Sequence, residues 1–250
     1  MIRKKLLPLL LILLTSCAEL TQLAQQTLDA NAPLTQNEIV AGLKEALVTG
    51  TNKSAQLLGK TDGYYKDELV KIMLPPEANV IVDNLNKIPG GDKLVEDVLL
   101  TINRAAEDAA KEAAPIFVNS IKSMTISDAV GILKGQDNAA TQYLHKTTYD
   151  QLFALYQPKI KSSVEKELVG GLSTKESWDS LTRKWNTLAN SVAGKIAGLK
   201  PVNTELEDYL TTKALDGLFL KIAGEEKLIR EDPAARVTSL LKRVFGSVDA

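Results

Sequence analysis

The chain has one cysteine, Cys17, and one histidine, His145, and only 5% of its 250 residues are aromatic. Each scarcity removes chemistry. Disulfide frameworks, Cys-x-x-Cys redox pairs and thiolate zinc sites all need two or more thiols. A metal centre built on several imidazoles is excluded on the same count, so no metal site and no cofactor is expected. A nucleophile activated by histidine would have to use His145. The glycine pattern of a phosphate loop is missing, Gly90-Gly91-Asp92-Lys93 reading as a helix break, and so is a Gly-x-Ser-x-Gly elbow. Positive charge is never concentrated beyond two or three neighbouring residues after the N-terminus, which argues against a nucleic-acid partner.

What is present begins at the N-terminus. Arg3, Lys4 and Lys5 precede an apolar run from Leu6 to Leu14 that only Pro8 interrupts, the plan of a signal peptide. That run is about half of the roughly 20 residues a membrane-spanning helix needs. Leu14-Thr15-Ser16-Cys17 resembles the lipobox of bacterial lipoproteins. The resemblance implies cleavage before Cys17, diacylglycerol on its sulfur and an N-terminal acyl group; several acyl chains give stable anchoring where one alone binds marginally. An ordinary secretory signal that happens to contain a cysteine is the alternative. Ala18 stands where an aspartate would signal inner-membrane retention, which points to the outer membrane with the body facing the periplasm. Loss of residues 1–16 would take Arg3, Lys4 and Lys5 with it and leave the chain more acidic than its overall −1. Residues 17–33 then read as lipid anchor and polar tether, 34–246 as a helical domain long enough to bury a sizeable core, and 247–250 as a tail.

The domain reads as all-α, a helical bundle. Four Ser/Thr-x-x-Glu/Asp capping boxes precede apolar periodic runs: Thr35 with Glu38, Thr125 with Asp128, Ser173 with Glu176, and Thr204 with Glu207. Asp232-Pro233 adds a fifth start. Ile39, Leu43 and Leu47 share a stripe. So do Leu94, Val98, Ile102, Ala105 and Ala109, on a segment expected to kink at Pro115. Trp178, Leu181, Trp185, Leu188, Val192 and Leu199 follow heptad spacing, the tryptophans reading as core. Leu206, Leu210, Ala214, Leu218 and Ile222 make a further stripe, and stops are expected at Gly90-Gly91, Gly170-Gly171 and Pro201. One short extended segment is expected within residues 69–82, where Val70, Ile72 and Leu74 alternate before Pro75-Pro76. Residues 34–44 echo 124–134, and 52–61 echo 138–147. The echo reads equally as a duplication, giving two related helical hairpins, or as the common look of capped amphipathic helices.

The segments NRAAEDAAKEAAPIF (103–117), MTISDAVGIL (124–133), DNAATQYL (137–144), LEDYLTTKALDGLF (206–219) and EEKLIREDPAARVTSLLKRVFG (225–246) resemble the bacterial family called domain of unknown function 4197. The resemblance runs from about residue 34 to 246. It implies an exported protein of Gram-negative bacteria, often with a lipoprotein signal, and supplies no catalytic residues.

Candidate polar sites are few. His145 is expected near the end of a helix, where a cation suits the dipole. Asp216, Glu225 and Glu226 near Arg230 and Arg236 could form a polar site, or simple surface pairs, Glu226 and Arg230 being four residues apart. Arg104 with Glu107 and Asp108 reads as an intrahelical network. Asp216-Gly217 is odder, since a glycine inside an apolar helix costs about 1 kcal/mol relative to alanine; close approach of another helix to Gly217, or a ligand against it, would explain it. The interaction site is therefore sought among Arg104, Glu107, Asp216, Gly217, Glu226, Arg230 and Arg236, with lipidation at Cys17 and no catalytic residue. The expected role is a noncatalytic binding or interaction module of the cell envelope, its partners the membrane through Cys17 and an envelope protein or lipid. The alternatives are a carrier holding an apolar or amphiphilic ligand between helices and a carboxylate-based hydrolase, which needs two acids converging in one cleft.

Overall fold

The computed structural model describes residues 33–79, 91–166 and 173–247. Cys17, the tether, Gly170-Gly171 and the end of the expected extended segment lie outside them. Met1–Thr35 is one unit and Gln36–Ala250 another; the helices among the described residues belong to the second.

Among the described residues the structure is helical without a sheet. The helices are α1 (Gln36–Leu58), α2 (Gly91–Ala110), α3 (Ala114–Ser123), α4 (Ile126–Leu133), α5 (Ala139–Val164), α6 (Thr174–Asn190), α7 (Val192–Ile196), α8 (Leu206–Glu231) and α9 (Ser239–Gly246). Short 3-10 turns fill Pro76–Ala78 and Pro233–Ala235. The two longest, α5 and α8, pack against each other at the centre. α2 and α3 cover α5, while α1 lies along α8 and also meets α3, α4 and α9. The α8 stripe is buried throughout, Leu206, Leu210, Ala214, Leu218 and Ile222 all being within the core. Each fully buried leucine or isoleucine there contributes about 1.5–3 kcal/mol of transfer free energy. Phe117 of α3 meets Phe219 of α8 edge to face, centroids 6.0 Å apart. No helix among the described residues is long and apolar enough to cross a membrane by itself.

The expected capping boxes at Thr125 and Ser173 form as written. The Thr125 hydroxyl accepts from the Asp128 amide while Asp128 accepts from the Thr125 amide, and Ser173 and Glu176 do the same for α6. Thr204 with Glu207 does not: α8 begins one residue later, at Leu206, and Glu207 turns instead to Lys175 at 2.8 Å. Asp232-Pro233 caps a 3-10 turn rather than an α-helix. The last helix starts at Ser239 on a Thr238 cap that lacks the carboxylate a capping box would show.

Other expectations need correction. Gly91 opens α2, and the residues just before it, on which the expected stop falls, lie outside the described ones; Pro115 starts α3 after a full break at 111–113 instead of kinking one helix. The heptad stripe does not continue through Val192, because Ser191 caps a new helix and leaves Val192 exposed; Trp178 is buried as expected. α5 runs straight past Pro158, a residue that cannot donate to the carbonyl four residues before it. His145 sits in the second turn of that helix, far from its end. It is exposed and stacked on Tyr149, centroids 4.7 Å apart, so it does not serve the helix dipole. The echo does not build two matching hairpins: residues 36–58 are one unbroken helix, whereas their counterparts are split between α4 and α5 by a turn at 134–138.

Of the expected extended segment, residues 71–75 carry neither helix nor turn, while Leu69 and Val70 belong to a turn in which the Val70 amide donates to the Asp67 carbonyl. The segment buries Val70 and Ile72 and leaves Leu69 and Met73 exposed. Its partner is a side chain. Asn103 of α2, fully buried, accepts from the Ile72 amide at 2.8 Å and donates to the Ile72 carbonyl at 2.9 Å, closing a one-residue bridge.

Candidate functional site

The sequence candidates separate into distinct places. The first is built on α2. Arg104 and Glu107, three residues apart on one helical face, form an ion pair, and Arg104 also binds Asp62 in the turn after α1. The Glu107 carboxylate is buried and accepts from the Tyr64 and Tyr65 amides at 3.2 and 3.3 Å, so it organises that turn. Asp62 has a positive φ of 68°, a conformation aspartate tolerates better than most side chains. Gly63 beside it lies so close to the Leu57 and Leu58 carbonyls that a Cβ would come within 2.5 Å of both. Hydrogen bonds from Lys66 and then Arg104 hold the Asp62 carboxyl below the usual aspartate range.

Tyr64 links this place to Gly217. Its hydroxyl donates to the Ala214 carbonyl of α8 at 2.7 Å, and its ring and Val70 press on the Gly217 backbone. The close approach expected at Gly217 is real, but it comes from the 64–70 segment rather than from a helix. Burial pushes the Tyr64 and Tyr156 phenols upward, which keeps both protonated in the core. A Cβ at Gly217 would stand 3.0 Å from both Tyr64 and Val70, whereas at Gly224 of the same helix nothing lies within 4 Å. Gly224→Ala is therefore expected to stabilise by up to about 1 kcal/mol through helix propensity. Gly217→Ala should destabilise by about 1–2 kcal/mol net, overpacking outweighing that gain. Denaturant midpoints of the two variants should move in opposite directions, and equal shifts would refute the packing account. Asp216, one residue earlier, faces outward and pairs with Lys213.

The second place joins three helix ends, and here the expectation of a surface pair fails. Glu226 is only 8% exposed. Its carboxylate accepts from the Ala140 amide at 3.0 Å and from the Thr141 amide and hydroxyl, each at 2.8 Å, and so caps the start of α5. Arg230 binds Glu226 at 2.9 Å and donates to the Ile132 and Leu133 carbonyls at the end of α4. Negative charge thus meets a helix N-terminus and positive charge a C-terminus, the favourable sense for both dipoles. Arg236, also buried, donates to the Ile229 and Arg230 carbonyls and closes α8. Glu225 points away to Lys53.

Beside the Arg104 knot, α2 and α5 leave an open cleft of about 580 Å³. Its walls carry Arg104, Asp108, Lys159 and Lys166 together with the hydroxyl residues Thr101, Ser162 and Ser163. Lys159 sits between Glu112 and Asp108, at 2.9 and 3.0 Å, and the hydrogen bonds to them hold its ammonium above the usual lysine range. The sequence reading missed Asp62, Tyr64, Asn103 and Lys159. The Asp62-Gly63 turn pair was a signal that could have led to the first two; Asn103 and Lys159 carry none in the sequence around them. Among the described residues no three acidic, thiol or imidazole side chains gather as a metal site.

No curated protein and no solved structure matches the chain. Residues 33–246, which include the α2 knot, the three-helix junction and the cleft, match the model of the family described as protein of unknown function DUF4197, and the chain belongs to that family.

Proposed function

We propose that this chain is a noncatalytic binding module of the cell envelope, held to the outer membrane by lipid on Cys17, with the body facing the periplasm and the α2–α5 cleft as its binding surface. The observation that carries the binding reading is the cleft itself: its volume falls in the range of small-molecule sites, and it converges charges of both signs with hydroxyls. A polar ligand or a polar segment of an envelope partner suits those walls. The small apolar space between α1, α8 and α9 is about 20 Å³, enough for a single water and far below what an acyl chain needs, so the carrier of an apolar ligand gains no support there. The hydrolase reading gains none either: Glu107 and Glu226 are each committed to backbone amides on different elements, and the two acids that do meet beside the cleft, Asp108 and Glu112, are exposed and share Lys159, whose hydrogen bond holds the Asp108 carboxyl below its ordinary range rather than above it.

A photo-crosslinking residue at Ser162 in the cleft is expected to yield a discrete adduct in envelope preparations. The same residue at Gly131, in open space on α4, should not, and adding Lys159→Glu should abolish the Ser162 adduct. Equal adducts at both positions would refute the cleft. The anchor is read separately by palmitate labelling: wild type should incorporate label, Cys17→Ala should not, and an unlabelled wild type would end that part of the reading.

A further inference from the structure

The most exposed large apolar side chains among the described residues are neighbours. Val192 and Ile196, 78% and 83% exposed, stand one turn apart on α7 and so share a face. Single exposed apolar residues are ordinary, whereas an apolar pair fixed on one projecting face is not. The projection is held firmly. Ser191 accepts from the Gly194 amide at 3.0 Å, and Gly198, with a φ of 70°, ends the helix with Leu199 donating back to Gly194 at 2.9 Å. The returning chain is tied to α6 by Asn186, which pairs with both the amide and the carbonyl of Val202 at 2.7 Å.

The charge of this stretch of sequence is one-sided. From Ser180 to Thr204 there is no Asp or Glu, the longest such stretch in the chain, while Arg183, Lys184, Lys195 and Lys200 fall within it. The whole chain has a net charge of −1, so this is a local concentration of positive sign.

We infer that α7 docks on an anionic bilayer surface, with Val192 and Ile196 entering the boundary between headgroups and acyl chains and the exposed Lys195 beside them meeting lipid phosphates. Apolar residues flanked by Lys and Arg, with acids absent, are what such an interface selects. A bilayer also fits the size of the feature. A stable protein interface needs about 800 Å² per partner, far more than two side chains on a five-residue helix offer, whereas a membrane accepts a small wedge. The inference rests neither on the cleft nor on acylation of Cys17.

The test uses the full chain with Cys17→Ala and Ile196→Cys, so that a polarity-sensitive fluorophore enters at one thiol. Its emission should shift to the blue on vesicles containing phosphatidylglycerol, stay near the aqueous value on pure phosphatidylcholine, and return towards it at roughly 0.5 M salt. Lys195→Glu with Lys200→Glu should weaken the response about tenfold at a given lipid concentration, and Val192→Ser should reduce it while leaving the melting temperature unchanged. The same label at position 131 should remain aqueous. Unchanged emission on anionic vesicles, equal response to both lipids, an equal shift from position 131, or a shift that grows with protein concentration without lipid, as self-association would give, would each overturn the docking. The cleft crosslinks and palmitate labelling would be unaffected by any of these.

Discussion

Replacing Glu226 with alanine is expected to destabilise the folded chain by about 3–5 kcal/mol, the range for removing one partner of a buried ion pair. Two losses combine. Arg230, with 11% of its side chain exposed, is left without its anion, and the Ala140 and Thr141 amides at the start of α5 lose their acceptor. Glu225→Ala, one residue away, serves as the control. Its partner Lys53 is 61% exposed, and an exposed pair of this kind contributes about 0–1 kcal/mol. Urea unfolding of both variants measures the contrast; a Glu226→Ala loss no larger than that of Glu225→Ala would show that the junction does not hold the helices together. Removing the charges as a pair, Glu226→Leu with Arg230→Met, should recover part of the loss, since a hydrophobic pair leaves no orphaned charge.

Asn103→Leu is the second large effect. The side chains have similar volume and the site is fully buried, so the packing change is small. The Ile72 amide and carbonyl, however, lose their only described partners in a place water does not reach. At about 1–3 kcal/mol for each buried group left unsatisfied, the expected cost is roughly 2–5 kcal/mol. Val70 and Ile72 are the side chains that segment delivers to the core, so limited proteolysis should reach residues 66–75 sooner in the variant than in the wild type. Unfolding within about 1 kcal/mol of wild type, with unchanged proteolysis, would refute the bridge.

These two residues also mark where sequence reasoning succeeded and where it stopped. Helical class, the α8 stripe and the caps at Thr125 and Ser173 depend on residues a few positions apart, and short-range spacing carries that information. The burial of Val70 and Ile72 was legible for the same reason, in their alternation with exposed neighbours. Its partner was not, because Asn103 is 31 residues away and nothing in its neighbourhood distinguishes it from a surface asparagine. Glu226 and Arg230 were misread in a related way. Four-residue spacing looks alike on a wet face and on a buried one, and only the ends of α4 and α5, about ninety residues earlier in the chain, decide which face it is. Thr204 failed for a different reason: Lys175 competes for Glu207 and draws it away from the cap. The cleft was invisible throughout, since a gap between α2 and α5 is a property of two helices and of neither sequence. The segments that carry the family resemblance are nonetheless the ones that contain Asn103, Arg104, Glu107, Gly217, Glu226, Arg230 and Arg236. Apart from Arg236, which closes its own helix, what these residues have in common in this structure is that they hold distant elements together.

The junction at Glu226 also says something about order in time. The first amides of α5 wait for an acceptor 86 residues downstream, and the apolar face of α1, near the start of the chain, packs on α8 and α9 near its end. Contacts of such long span make loop closure the slow event in folding. A growing chain that has not yet produced α8 lacks the surface on which its earlier helices could settle, whatever helix they form locally. The polypeptide therefore cannot close its core until nearly all of it exists, a property that would suit the export proposed above.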